Sequence, residues 1–127
     1  MAGFSDFLET AVLNHVFGGS SYTAPSTLYV ALYTAAPSDT GGGTEVSGGA
    51  YARQTGAFTV SGGTASNTSA IEYATATADY GTVVAVGVFD ASSGGNLLAY
   101  GTLTTSKSVS TGDVFRFNAS ALDITLT

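Results

Sequence analysis

Cysteine is absent, so disulfides and thiolate metal sites are unavailable to this chain. Charge is scarce. Asp, Glu, Lys and Arg make up 9% of the residues, against about 25% in an average soluble domain. Cations are scarcer still: Arg53, Lys107 and Arg116 are scattered along a chain of formal net charge −6. Binding to phosphates requires clustered Lys and Arg, so neither a nucleic-acid nor a membrane partner is expected. No apolar run approaches the roughly 18 residues of a membrane-spanning helix. The opening MAGFSDFLETAVLNHVFGG lacks a basic start and is interrupted by Asp6, Glu9 and Asn14, which does not read as a signal peptide.

Apolar residues are plentiful, at 44% of 127. That length fits one domain, and the low charge combined with high hydrophobicity argues against disorder. The spacing predicts one helix over residues 5–17. Ser5 is a suitable N-cap, Asp6 and Glu9 lie near the positive end of the dipole, and His15 lies near the negative end. Gly18 and Gly19 can end it. Phe7, Leu8, Ala11, Val12 and Val16 form one apolar stripe.

After Pro25 the period changes to two. Leu28, Val30 and Leu32 face one way, and Tyr29, Ala31 and Tyr33 the other. Further strands are expected at 51–60, 65–73, 82–90, 97–105, 113–118 and 122–126, with turns at 92–95 and 110–113. Residues 35–49, rich in Gly, Ser and Thr, read as a long flexible loop or contact arm. No helix separates successive strands. The fold expected is therefore all-β: an antiparallel β-sandwich, jelly-roll-like, with one N-terminal α-helix. Residues 1–19 form the helical segment and 20–127 the β-sandwich, together one compact domain.

The chemistry available is thin. His15 is the single histidine, and it sits in the helix's last turn without a partner set. Asp39, Glu45, Asp90, Asp113 and Asp123 lie in loops or near strand ends, and no spacing singles out a catalytic pair. Asp90, Ser92 and Asn96 resemble the start of a calcium loop, but the fifth position is Gly94 and the twelfth is Gly101. The glycines at 41–43 and 48–49 lack the following helix and Lys of a phosphate cradle. No catalytic residue, metal site or cofactor is expected. The seven tyrosines suit interfaces or glycan surfaces, although a ring filling a β core with its hydroxyl at the edge is the simpler expectation.

The phrases FSDFLETAVLNHVFGG, TLYVALYTAAPSD, GGTEVSGGAYARQ and GVFDASSGGNLLAYG resemble a family of small tailed-bacteriophage virion proteins, often labelled tail fibre proteins. The resemblance implies a non-enzymatic structural role in the virion, assembled in the host bacterial cytoplasm. Compactness and the lack of a shaft repeat favour a capsid decoration, or cement, protein on the head. The alternative is a tail or tail-fibre component with a host-contact role, and a minor alternative is a glycan-binding or hydrolytic domain. Partners would be the major capsid protein or tail proteins, and a homotrimer is expected. The assembly contacts are expected on the helix and the long loop: Phe4, Phe7, Leu8, Val12, Val16, Asp39, Glu45, Val46, Tyr51 and Arg53.

Overall fold

A computed structural model describes residues 3–125. In chain order the elements are β1 (Gly3–Phe4), α1 (Asp6–Val16), β2 (Leu28–Ala35), β3 (Thr44–Glu45), β4 (Gln54–Gly56), β5 (Phe58–Ser61), β6 (Thr64–Asn67), β7 (Ile71–Glu72), β8 (Gly81–Phe89), β9 (Leu97–Val109), β10 (Arg116–Phe117) and β11 (Asp123–Thr125). The main antiparallel sheet runs β1-β9-β8-β2-β3, with β4 also paired to β2. Two smaller sheets, β11-β6-β5 and β10-β7, complete an all-β sandwich with one N-terminal helix.

The core lies between the main sheet and these smaller sheets. Val30 and Leu32 of β2 and Val83 and Val86 of β8 meet Ile71, Tyr73, Phe115, Phe117 and Leu122. Each fully buried Val or Leu contributes about 1.5–3 kcal/mol. Strict alternation would put Val83 and Val86 on opposite faces. The pairing breaks register between Val83 and Ala85, where β9 passes from Lys107 to Thr102, and the side chains of both Val83 and Val86 lie in this core. A chain of aromatic contacts runs through this core from Tyr80 to Tyr51, Tyr73, Phe115 and Phe117, with centroids 5.1–6.1 Å apart. The tyrosines are therefore largely core residues: Tyr33, Tyr73 and Tyr80 are buried and none of the seven is fully exposed.

The second face of the main sheet is also apolar. Ala31, Tyr33, Ala85, Phe89 and Leu97 form a buried cluster there, with Tyr100 packed against it. Both sides of β2 are thus buried, as its alternating apolar residues allow. A third cluster joins Val88, Ala99 and Ile124 to Phe4 and Leu28, so β1 and β11, at the two ends of the described chain, pack together.

Several expected elements differ. The strand expected over 51–60 is two strands, because the chain changes sheets at Gly56. A Cβ at Gly56 would lie 3.1 Å from Ile71 and 3.3 Å from Val30, so glycine permits the close crossing. The expected 65–73 strand is likewise divided into β6 and β7, and the expected 113–118 strand contracts to β10. β9 continues to Val109, beyond the expected end at 105, because it stays paired with β8 as far as Gly81. Of the last expected strand, Leu126 lies outside the described residues. The 35–49 segment is not a featureless loop: β3 pairs with β2, and Val46 is buried with its N–H donating to Leu32.

Candidate functional site

The N-terminal helix is pinned at its first residue. Ser5 is buried in extended conformation, and its Oγ accepts a 3.3 Å bond from the Leu8 N–H. The same hydroxyl donates to the Leu97 carbonyl at 2.5 Å, and the Ser5 N–H donates to Leu98 at 2.8 Å. One residue thus caps α1 and fastens it to β9. At the other end, Gly18 and Ser20 N–H groups donate to the Asn14 carbonyl, and Gly19 turns the chain at φ 75°. His15 Nδ1 accepts a 3.1 Å bond from the Tyr22 N–H, so the histidine holds the returning strand of chain at the surface.

No residue of α1 is buried. Of the expected stripe, Leu8, Ala11 and Val12 are half-buried, whereas Phe7 and Val16 are exposed. Leu13, Val16 and Phe17 stand at 58%, 61% and 83% exposure. Their i, i+3, i+4 spacing makes a second apolar face at the end of the helix. Sequence reasoning missed Leu13 and Phe17, although the same helical spacing carried them.

The remaining expected contact residues fall into different settings. Phe4 is half-buried in β1. Asp39 is exposed and accepts a hydrogen bond from the Tyr100 hydroxyl, while its carbonyl accepts from the Asp6 N–H at 3.0 Å. Val46 belongs to the core. Glu45, Tyr51 and Arg53 form one network. Arg53 holds Glu45 side-on, Nε to Oε2 and Nη2 to Oε1, each at 2.9 Å. Its Nη1 donates to the carbonyls of Ala91 and Gly94, also at 2.9 Å, and its guanidinium lies 3.7 Å from the Phe89 ring centroid. The Tyr51 hydroxyl donates to Glu45 at 2.7 Å and accepts from the Leu32 N–H at 3.0 Å.

Electrostatics follow from this network. Burial alone would raise the Glu45 carboxyl, but the Arg53 and Tyr51 hydrogen bonds and the Arg53 charge outweigh it and hold the group below its usual value. Burial, then the bond to Glu45, pushes the Tyr51 phenol well up. The network ties β3 to the residues before β4 and to the β8–β9 turn. It binds structure together and presents no nucleophile.

The β8–β9 turn is closed by its own carboxylate. Asp90 accepts from the Asn96 N–H at 2.8 Å and from Asn96 Nδ2 at 3.0 Å. These bonds, the backbone one foremost, hold Asp90 below its usual value. A Cβ at Gly95 would sit 2.5 Å from Asp90 Oδ1, so the turn needs glycine there. Among the described residues, no group of three or more His, Cys, Asp or Glu could hold a metal ion.

Residues 3–125 match the family described as Podophage GP4 fiber I protein gp80. The chain belongs to that family. The match spans the residues of the helix, the Arg53 network and all the sheets. This is a phage fibre-type structural protein family, which places the protein among virion components. No curated protein is matched by the chain.

Proposed function

We propose that this protein is a non-enzymatic component of a bacteriophage tail fibre, and that it docks onto neighbouring virion proteins through the exposed end of α1. The observation that carries the reading is the fibre-family match over residues 3–125, together with the outward face of Leu13, Val16 and Phe17. Apolar side chains grouped at such exposure are normally covered by a partner. The fibre family favours the tail over the capsid-decoration role that compactness suggested. A homotrimer, assembled in the host cytoplasm before attachment, fits a chain with few charged side chains and an exposed apolar face to cover. The helical segment and the β body act as one unit, since Ser5 joins them.

The test is localisation in intact virions with a tag in the Gly62–Gly63 turn. Signal confined to the tail supports the proposal, and signal distributed over the head supports decoration instead. Within the same particles, Val16→Ser with Phe17→Ser should leave the melting temperature nearly unchanged but remove the protein from the virion. Normal incorporation of that variant would show that another surface makes the contact.

A further inference from the structure

A cleft of about 570 Å³ opens on the second face of the main sheet. It lies between the start of α1, the turn after β2 and the β8–β9 turn. Tyr33, Phe89 and Leu97 floor it, each no more than 9% exposed. They close together because residue 87 is glycine: a Cβ there would meet the Tyr33 ring at 2.9 Å and Leu97 at 3.0 Å. Phe7 forms a wall. The residue is 41% exposed, and its ring is met edge-on by Tyr22 at 6.3 Å.

The rim is made of acceptors. Asp6 and Asp39 both line the cleft, tied to each other by the Asp6 N–H to Asp39 carbonyl bond. The Tyr100 hydroxyl fixes one oxygen of Asp39, and the other has no hydrogen-bond partner among the described residues. Asn96 donates from Nδ2 to Asp90 at 3.0 Å, which fixes its amide and keeps its carbonyl oxygen as a further acceptor. Among the described residues no cation lines the cleft, and the nearby Arg53 guanidinium is taken up by Glu45 and two carbonyls.

An aromatic wall, an apolar floor and fixed carboxylate acceptors suit one kind of small ligand. It has an apolar C–H face and outward hydroxyl donors, and it carries no negative charge. We propose that this cleft binds a neutral saccharide, with one pyranose ring laid against Phe7 and its hydroxyls donating to Asp6, Asp39 and Asn96. The volume falls within the roughly 300–1,000 Å³ of small-molecule sites. An acidic sugar or phosphate would face two carboxylates and is excluded by like charge. Calcium is disfavoured because it takes about 6–8 oxygen ligands and the rim offers few. The inference rests on the cleft alone and not on the fibre assignment: binding is read on the purified protein, location on the virion.

The experiment titrates the ¹⁵N-labelled full chain with methyl glycosides of glucose, galactose and N-acetylglucosamine, each to about 50 mM, a range that captures millimolar affinity. Methyl glucuronide and calcium chloride are run as contrasts. The expected result is saturable amide shifts confined to Phe7, Asp39, Thr40, Gly41, Gly42 and Asn96 for at least one neutral glycoside. Phe7→Ala and Asp39→Asn should each weaken it about tenfold, equal to 1.4 kcal/mol. Asp6→Asn, on an exposed helix position, stands in if either variant loses its dispersed spectrum. No saturable shift with any neutral glycoside, shifts elsewhere, equal binding of the glucuronide, or the same shifts with calcium alone would overturn the proposal.

Discussion

At the scale of single residues, Arg53 does the most. Four of its five N–H donors meet a carboxylate and two backbone carbonyls, and its flat face covers Phe89. Lysine cannot reproduce that fork. Arg53→Ala should lower stability by about 2–3 kcal/mol, somewhat below the cost of breaking a fully buried pair, because Glu45 keeps Tyr51 and some solvent. Arg53→Lys should recover less than half of the loss, read by urea denaturation. Two core tyrosines offer a contrast. The Tyr73 hydroxyl donates to Val30 at 2.7 Å, whereas the buried Tyr80 hydroxyl has no partner among the described residues. Tyr73→Phe should therefore cost about 1 kcal/mol, and Tyr80→Phe should be neutral or stabilising. Equal losses in the two melts would contradict this account of the core. The Arg53 network was hidden in the sequence. Glu45, Tyr51 and Arg53 could be singled out as residues of one segment, but nothing in their spacing announces carbonyl acceptors near residue 91.

Among elements, α1 depends on one side chain. Ser5→Ala removes the cap and the bond to Leu97 together, and about 2 kcal/mol should be lost. Hydrogen exchange should then show the helix amides exchanging faster than in the wild type, with those of β8 unchanged. The long elements were legible because each carries a period over enough residues: α1, β2, β8 and most of β9. The short ones were not. β3 and β10 are two residues each, too short for any alternation. The division of 51–60 and 65–73 depends on which sheet accepts each piece, which is tertiary information. The loop at 35–49 looked featureless because its ordering comes from distant contacts. Val46 finds Leu32, and Gly43 sits where a Cβ would be 2.6 Å from the Ala35 carbonyl oxygen.

For the molecule as a whole, acid should be the weak side. Glu45 and Asp90 both titrate lower in the folded chain than their unfolded values of about 4.3 and 3.9. Their contribution to stability is complete above those values and is lost as pH falls through the folded ones. The melting temperature should be level near neutral pH and fall below about pH 4. Glu45→Gln should be less stable at pH 7 yet show a shallower acid limb, and an unchanged limb would mean that other carboxylates govern it. The all-β class and the single helix were readable from two periodicities. The cleft beside α1 was not, because residues 6, 39 and 96 meet only once the sheet has formed.

The pairing of β1 with β9 and of β11 with β6, with Phe4 and Ile124 in one apolar cluster, bears on how load would pass through the protein. Both described ends leave from the same pole. Tension entering at one end can exit at the other without crossing the sandwich, so a pull strains two short ribbons and spares the long β8–β9 ladder. A load applied across these two ends would therefore be borne beside the sandwich and not through it.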